Sequence, residues 1–123
     1  MKTGSWSLRR DPRMYLFDVC EAADAIIEFT RGLDEKTYEA NQLVTSAVER
    51  KFEIIGEALS QLAKVDPALA KRIPELARIV GFRNLLIHGY STIDHQRVWA
   101  LTRQELLSLR GVVEALLMEL GED

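Results

Sequence analysis

The chain has 123 residues, a net charge of −3, 47% hydrophobic and 28% charged residues, a composition that fits one ordinary globular domain and gives no global nucleic-acid signature. Its single cysteine, Cys20, excludes a disulfide within the chain, and no apolar run approaches the roughly 20 residues needed to span a bilayer. The opening MKTGSWSLRRDP carries positive charge with no apolar stretch behind it, so it does not read as a signal peptide and a cytoplasmic location is expected.

Residues 1–10 read as a loose arm, anchored at most by Trp6 and Leu8, ahead of a single domain over 11–120. Asp11 followed by Pro12 predicts a capped helix start with proline at its first position. Leu16, Val19, Cys20, Ala23, Ile26 and Ile27 then fall on one helical face, and Gly32 ends the element. Within that face Cys20 reads as a small buried hydrophobe rather than a reactive thiol. A second helix is predicted from near Asp34 or Lys36 to Val65, at roughly 30 residues about 45 Å long. Its stripe is Val44, Ala47, Val48, Ile55, Ala58, Leu59 and Leu62, with Gly56 inside it. A mid-helix glycine costs about 1 kcal/mol against alanine, which suggests a close helix approach there.

Asp66-Pro67 ends this helix and opens a short helical turn. A third helix is predicted from Pro74, with Leu76, Ile79, Val80, Leu86 and Ile87 apolar and His88-Gly89 at its C-terminal end. Asp94 reads as the cap of a last helix running to Leu120, with Val98, Leu101, Leu106, Leu109, Val113, Leu116 and Leu117 inward. No segment alternates as a strand would, and there is no internal repeat. The fold class is all-α, an up-and-down bundle of four main helices plus a short helical turn.

Charge is unevenly placed. Residues 71–110 carry a local +4, from Lys71, Arg72, Arg78, Arg83, Arg97, Arg103 and Arg110 against Glu75, Asp94 and Glu105, while the remainder carries −7. This allows either a basic patch or arginines scattered on solvated faces. Arg83 is the unusual member. At 100° per residue it lies in the stripe of Val80 and Ile87, and a buried guanidinium needs a carboxylate or an incoming anion. Asn84 and His88 stack four apart on a flank, but His88 lies about 140° from Arg83 around an ideal helix. The two therefore do not share one face within a single chain.

Arginine binds phosphate through its planar fork, and histidine suits acid or base work near neutrality. With Asn84 to orient them and a hydroxyl at Tyr90, these residues suit metal-free cleavage of an RNA phosphodiester by its own 2′-hydroxyl. One histidine does not readily act as both base and acid, whereas a symmetric dimer would bring two. The competing reading is a histidine satisfied structurally at a helix end. His95, after the cap Asp94, reads as a surface residue. Glu53 and Glu57 beside Gly56 read as a solvated or salt-bridged pair, or as carboxylates that face inward or partner a cation. No Cys/His cluster suggests zinc, and no Gly-rich phosphate loop or nucleophile elbow occurs. The sequence implies no metal and no cofactor.

The run Arg83, Asn84, LLI, His88, Gly89, Tyr90 resembles the motif of the HepT-like toxins of the HEPN superfamily, which is Arg, Asn, three residues, His, one residue, Tyr. DPRMYLFDVCEAADAI, ERKFEIIGEAL with its Gly56-Glu57, and IDHQRVWALTRQELLSL resemble the first, second and fourth helices of that family, so the likeness covers residues 11 to 120. The resemblance implies a homodimer whose Arg and His line a cleft at the twofold axis, and a metal-independent endoribonuclease that arrests growth as the toxin of a type VII toxin–antitoxin system. It implies that Arg83 stabilises phosphate, His88 is the acid/base and Asn84 supports them. It further implies that Tyr90 receives AMP from a nucleotidyltransferase antitoxin, and that Arg78, Arg83 and their neighbours track single-stranded RNA. The alternative is a non-catalytic HEPN subunit that binds nucleotide or RNA, or docks a transferase.

Overall fold

The computed structural model describes residues 11–88 and 93–121. Within them are seven helices and no strand: α1 Pro12–Phe29, α2 Glu35–Ala40, α3 Gln42–Val65, α4 Pro67–Ala70, α5 Leu76–Ile87, α6 His95–Arg103 and α7 Glu105–Leu120. α3 is the central element, with α1 and α5 packed along it, while α7 lies against α1 and α2 touches both α3 and α6. None of these helices is long and apolar enough to cross a membrane. The predicted arm over 1–10, with Trp6 and Leu8, lies outside the described residues, as do Gly89 and Tyr90.

The first helix forms as its sequence directs. Asp11 accepts a hydrogen bond from the Arg13 amide, Pro12 occupies the first turn, and Gly32 closes the connection in the left-handed region at φ 79°. Leu16, Val19, Ala23 and Ile26 are fully buried along its inner face. Full burial of a side chain such as Leu16 contributes about 1.5–3 kcal/mol. Cys20 is half-buried, and burial pushes its thiol above the usual range.

The predicted 30-residue second helix is divided. Asn41 sits in extended backbone between α2 and α3, where its side chain accepts from the Val44 amide at 3.1 Å. An asparagine is a poor interior residue but a strong N-cap, so the chain restarts there and turns. Asp34 caps α2 in the same way, reciprocally with Thr37. This bend puts Tyr38 in the core with no exposure, its ring 5.2 Å from Trp99.

The last predicted helix also divides, at Gln104, whose φ of −121° and ψ of −76° leave the helical region. Asp94 caps α6 as expected, accepting from the amides of Gln96 and Arg97. α5 begins at Leu76 rather than Pro74, because Pro74 and Glu75 form a turn whose glutamate accepts from the Ser108 hydroxyl. Phe82 on α5 meets Phe52 on α3 edge to face, with centroids 5.5 Å apart. Such a pair adds about 0.5–1.5 kcal/mol beyond its burial, and it fixes the side of α5 that faces α3.

Candidate active site

Gly56 determines how closely α5 approaches α3. A Cβ placed there would stand 2.6 Å from Arg83 Cγ and nearer still to Arg83 Cβ. The glycine is thus a notch for the arginine's aliphatic stem, the close approach that its position in the sequence suggests. Beyond the notch, Arg83 Nη1 donates to Glu57 Oε1 at 3.0 Å, and Gln61 donates to Glu57 Oε2 at 3.0 Å. Of the two fates open to a cation in this stripe, the chain supplies the first, a carboxylate partner. Arg83 is still only 15% exposed while Glu57 is 56% exposed. Arg83 Nε is buried without an acceptor among the described residues.

The same stripe also borders a cleft that opens outward. Arg83 and Ile87 border an open cleft of about 400 Å³ whose floor is α3, through Arg50, Glu53, Ile54, Glu57, Ala58 and Gln61, and whose opposite wall is Tyr15 and Asp18 of α1. Glu53 within it pairs with Arg50 at 3.1 Å. Both carboxylates beside Gly56 are therefore ion-paired. The contributions of Tyr15, Asp18, Arg50 and Gln61 carried no signal in the sequence, since each reads there as an ordinary member of a helix face.

His88 caps α5 through its backbone N–H to the Asn84 carbonyl at 3.0 Å. Its side chain and that of Asn84 are exposed, and no hydrogen bond or ion pair joins either to another described residue. The structure thus brings Arg83 to the cleft and leaves His88 and Asn84 on the flank, as the 140° separation requires. Ile87, in the same apolar stripe as Arg83, is 48% exposed at the cleft rim. Tyr90 lies outside the described residues.

His95 keeps part of its side chain at the surface but is more enclosed than its sequence position suggests. It is half-buried, with its edge against Tyr38 and its Nδ1 3.5 Å from Glu49. The basic stretch is likewise largely committed. Arg72 pairs with Glu119, Arg78 with Glu105, and Arg110 with Asp24 and Glu114. Arg103 lies 4.3 Å over the Trp99 ring. It is not a field of free cations, although exposed pairs of this kind hold by about 0–1 kcal/mol and exchange readily.

The helical bundle seats an arginine in an interhelical cleft and places a histidine at the end of the same helix, which is in keeping with the HEPN-like resemblance of the sequence. The family described as "Ribonuclease HepT-like" matches residues 19–116, and the chain belongs to it. "Putative RNase MJ1380" of Methanocaldococcus jannaschii is 32% identical over 86% of this chain and 96% of its own length. "Probable ribonuclease HepT" of Thermococcus cleftensis is 34% identical over 89% and 98%. "Putative RNase TTE0752" of Caldanaerobacter subterraneus is 28% identical over 89% and 97%. No solved structure matches the chain significantly.

Proposed function

We propose that this protein is an endoribonuclease toxin, acting as a homodimer on single-stranded RNA without a metal. The observation that carries the reading is the placement of Arg83, a nearly buried cation in a notch cut for it, at the edge of an open cleft. Membership of the HepT-like family and relatives named as ribonucleases support it. In this reading Arg83 binds the scissile phosphate, and His88 removes the proton of the adjacent ribose 2′-hydroxyl. The 2′-oxygen attacks phosphorus, the bond to the 5′-oxygen breaks, and that oxygen leaves protonated by a second histidine, from the partner. The products are a 2′,3′-cyclic phosphate and a free 5′-hydroxyl. Asn84, one position after Arg83, helps orient the pair.

The same reading makes Tyr90 the point of control. Its hydroxyl attacks the α-phosphate of ATP on a nucleotidyltransferase antitoxin, pyrophosphate leaves, and AMP remains on the ring. The bulk and negative charge of the AMP then oppose the binding of an RNA phosphate. Purified protein should cleave single-stranded RNA in EDTA, and Arg83→Ala or His88→Ala should each lower the rate at least about 100-fold, the order seen when a transition-state donor is lost. Cleavage surviving both changes sinks the catalytic reading and leaves the binding or docking subunit. Incubation with a cognate transferase and ATP should add AMP mass to the wild-type protein and none to Tyr90→Phe.

A further inference from the structure

Arginine presents five N–H donors on three nitrogens, and phosphate is held best by two parallel donors on one edge of the plane. In Arg83 one nitrogen is already occupied, since Nη1 donates to Glu57. The edge formed by Nε and Nη2 has no acceptor among the described residues, and Nε is buried while unsatisfied. A buried donor left without a partner costs about 1–3 kcal/mol, so its persistence calls for an explanation. Glu57 is itself held, because its second oxygen accepts from Gln61 one turn further along α3. The Arg83 stem cannot slide, because Gly56 seats its Cβ and Cγ. Gln61, Glu57 and Gly56 thus fix the guanidinium where Arg83 borders the cleft, with Nη1 engaged and Nη2 without an acceptor among the described residues.

We infer that Glu57, braced by Gln61, is the positioning residue that orients the Arg83 guanidinium, at Nη1, for an RNA phosphate in the cleft. An arginine freed of this contact keeps its charge but loses its orientation, and misplacement by about 1 Å can cost 100-fold in rate. The contact acts on turnover more than on substrate capture, since the charge that attracts RNA remains.

This inference rests on the ribonuclease reading, and two kinds of measurement separate their failures. The first is steady-state cleavage of single-stranded RNA by the full chain with Glu57→Ala, Glu57→Gln and Gln61→Ala. Glu57→Ala should lower kcat about 10- to 100-fold with KM changed by less than about threefold. Glu57→Gln keeps an acceptor for Nη1 and should recover to within about threefold of wild type, with an unaltered pH profile. Gln61→Ala should lie between. A Glu57→Gln as defective as Glu57→Ala, with the acidic limb of the profile lost, would make Glu57 a proton acceptor and overturn the positioning role. Unchanged kcat in Glu57→Ala, or tighter RNA binding, would also overturn it.

The second measurement is the Arg83 Nε–H resonance by NMR, with a 2′-deoxyuridine oligonucleotide as an uncleavable probe. In the wild type and Glu57→Gln it should be a single sharp signal that shifts with the oligonucleotide, and in Glu57→Ala it should broaden. An identical signal in all three overturns the inference even if RNA is cleaved. Ordered signals and shifts in a wild type that cleaves no RNA would retain the positioning contact and discard the ribonuclease reading.

Discussion

Gly56 is the residue at which sequence, packing and site meet. Gly56→Ala would drive a methyl into the base of the Arg83 side chain rather than its mobile tip, so neither side has a cheap escape. Overpacking of this kind costs about 1–3 kcal/mol, against the gain of about 1 kcal/mol that alanine brings to a helix interior. Urea denaturation should show a net loss of stability, and RNA cleavage should fall with it because Arg83 is pushed from its seat. Equal or greater stability with full cleavage would show that α3 and α5 are free to separate. Arg83 itself was legible as a misfit, since 3.6-residue periodicity places it among apolar neighbours. The choice between a carboxylate partner and an open cleft was not legible. It depends on a contact 26 positions away in the chain, and the structure supplies both.

At the scale of elements, the caps were read more securely than the breaks. Asp11 and Asp94 each stand just ahead of a helical pattern in the sequence, and both bond the amides that caps satisfy. Asn41 escapes notice because Ala40 and Gln42 on either side favour helix, so local propensity runs through it. Asn41→Ala removes the bond to Val44 and should cost about 1 kcal/mol, read as a lower urea midpoint with unchanged slope. The break at Gln104 has no capping side chain. It is held by tertiary contacts, including Arg103 to the Leu33 carbonyl at 3.3 Å and Arg78 to Glu105 at 2.7 Å.

Between α3 and α6 lies a half-buried polar contact that the helical pattern could not disclose. Burial raises the Glu49 carboxyl above its ordinary 4.5, Glu53 adds to the rise, and His95 opposes it. The Tyr38 ring on α2 closes the pocket, and burial pushes its hydroxyl upward. The folded protein therefore holds a proton that the unfolded chain has already released. Stability from this group is fully present below about pH 4.5 and is lost as pH rises through the folded value. Glu49→Gln stays neutral throughout. Its stability relative to wild type should climb with pH above 4.5 and then level off, in urea titrations at successive pH values. A flat difference would show that Glu49 is solvated when folded.

For the whole molecule, the decisive fact is that Arg83 and His88 leave the same helix in different directions. Arg83 is nearly buried at the cleft, while His88 stands exposed at the helix end. At the rim of that cleft Ile87 of α5 is about half exposed. A twofold partner seated there would cover this side chain and bring its own His88 toward this chain's Arg83. The protein should then sediment at twice its chain mass, and Ile87→Glu should yield a monomer that does not cut RNA. Mixing wild type with an inactive variant gives the sharper test. If each site needs His88 of both chains, wild-type and His88→Ala proteins unfolded and refolded together in equal amounts form mixed dimers with no complete site. Random pairing leaves a quarter of the dimers fully wild type, so cleavage should fall to about a quarter of that of the same total amount of wild type. If each chain works alone with its own histidine, half of the activity remains.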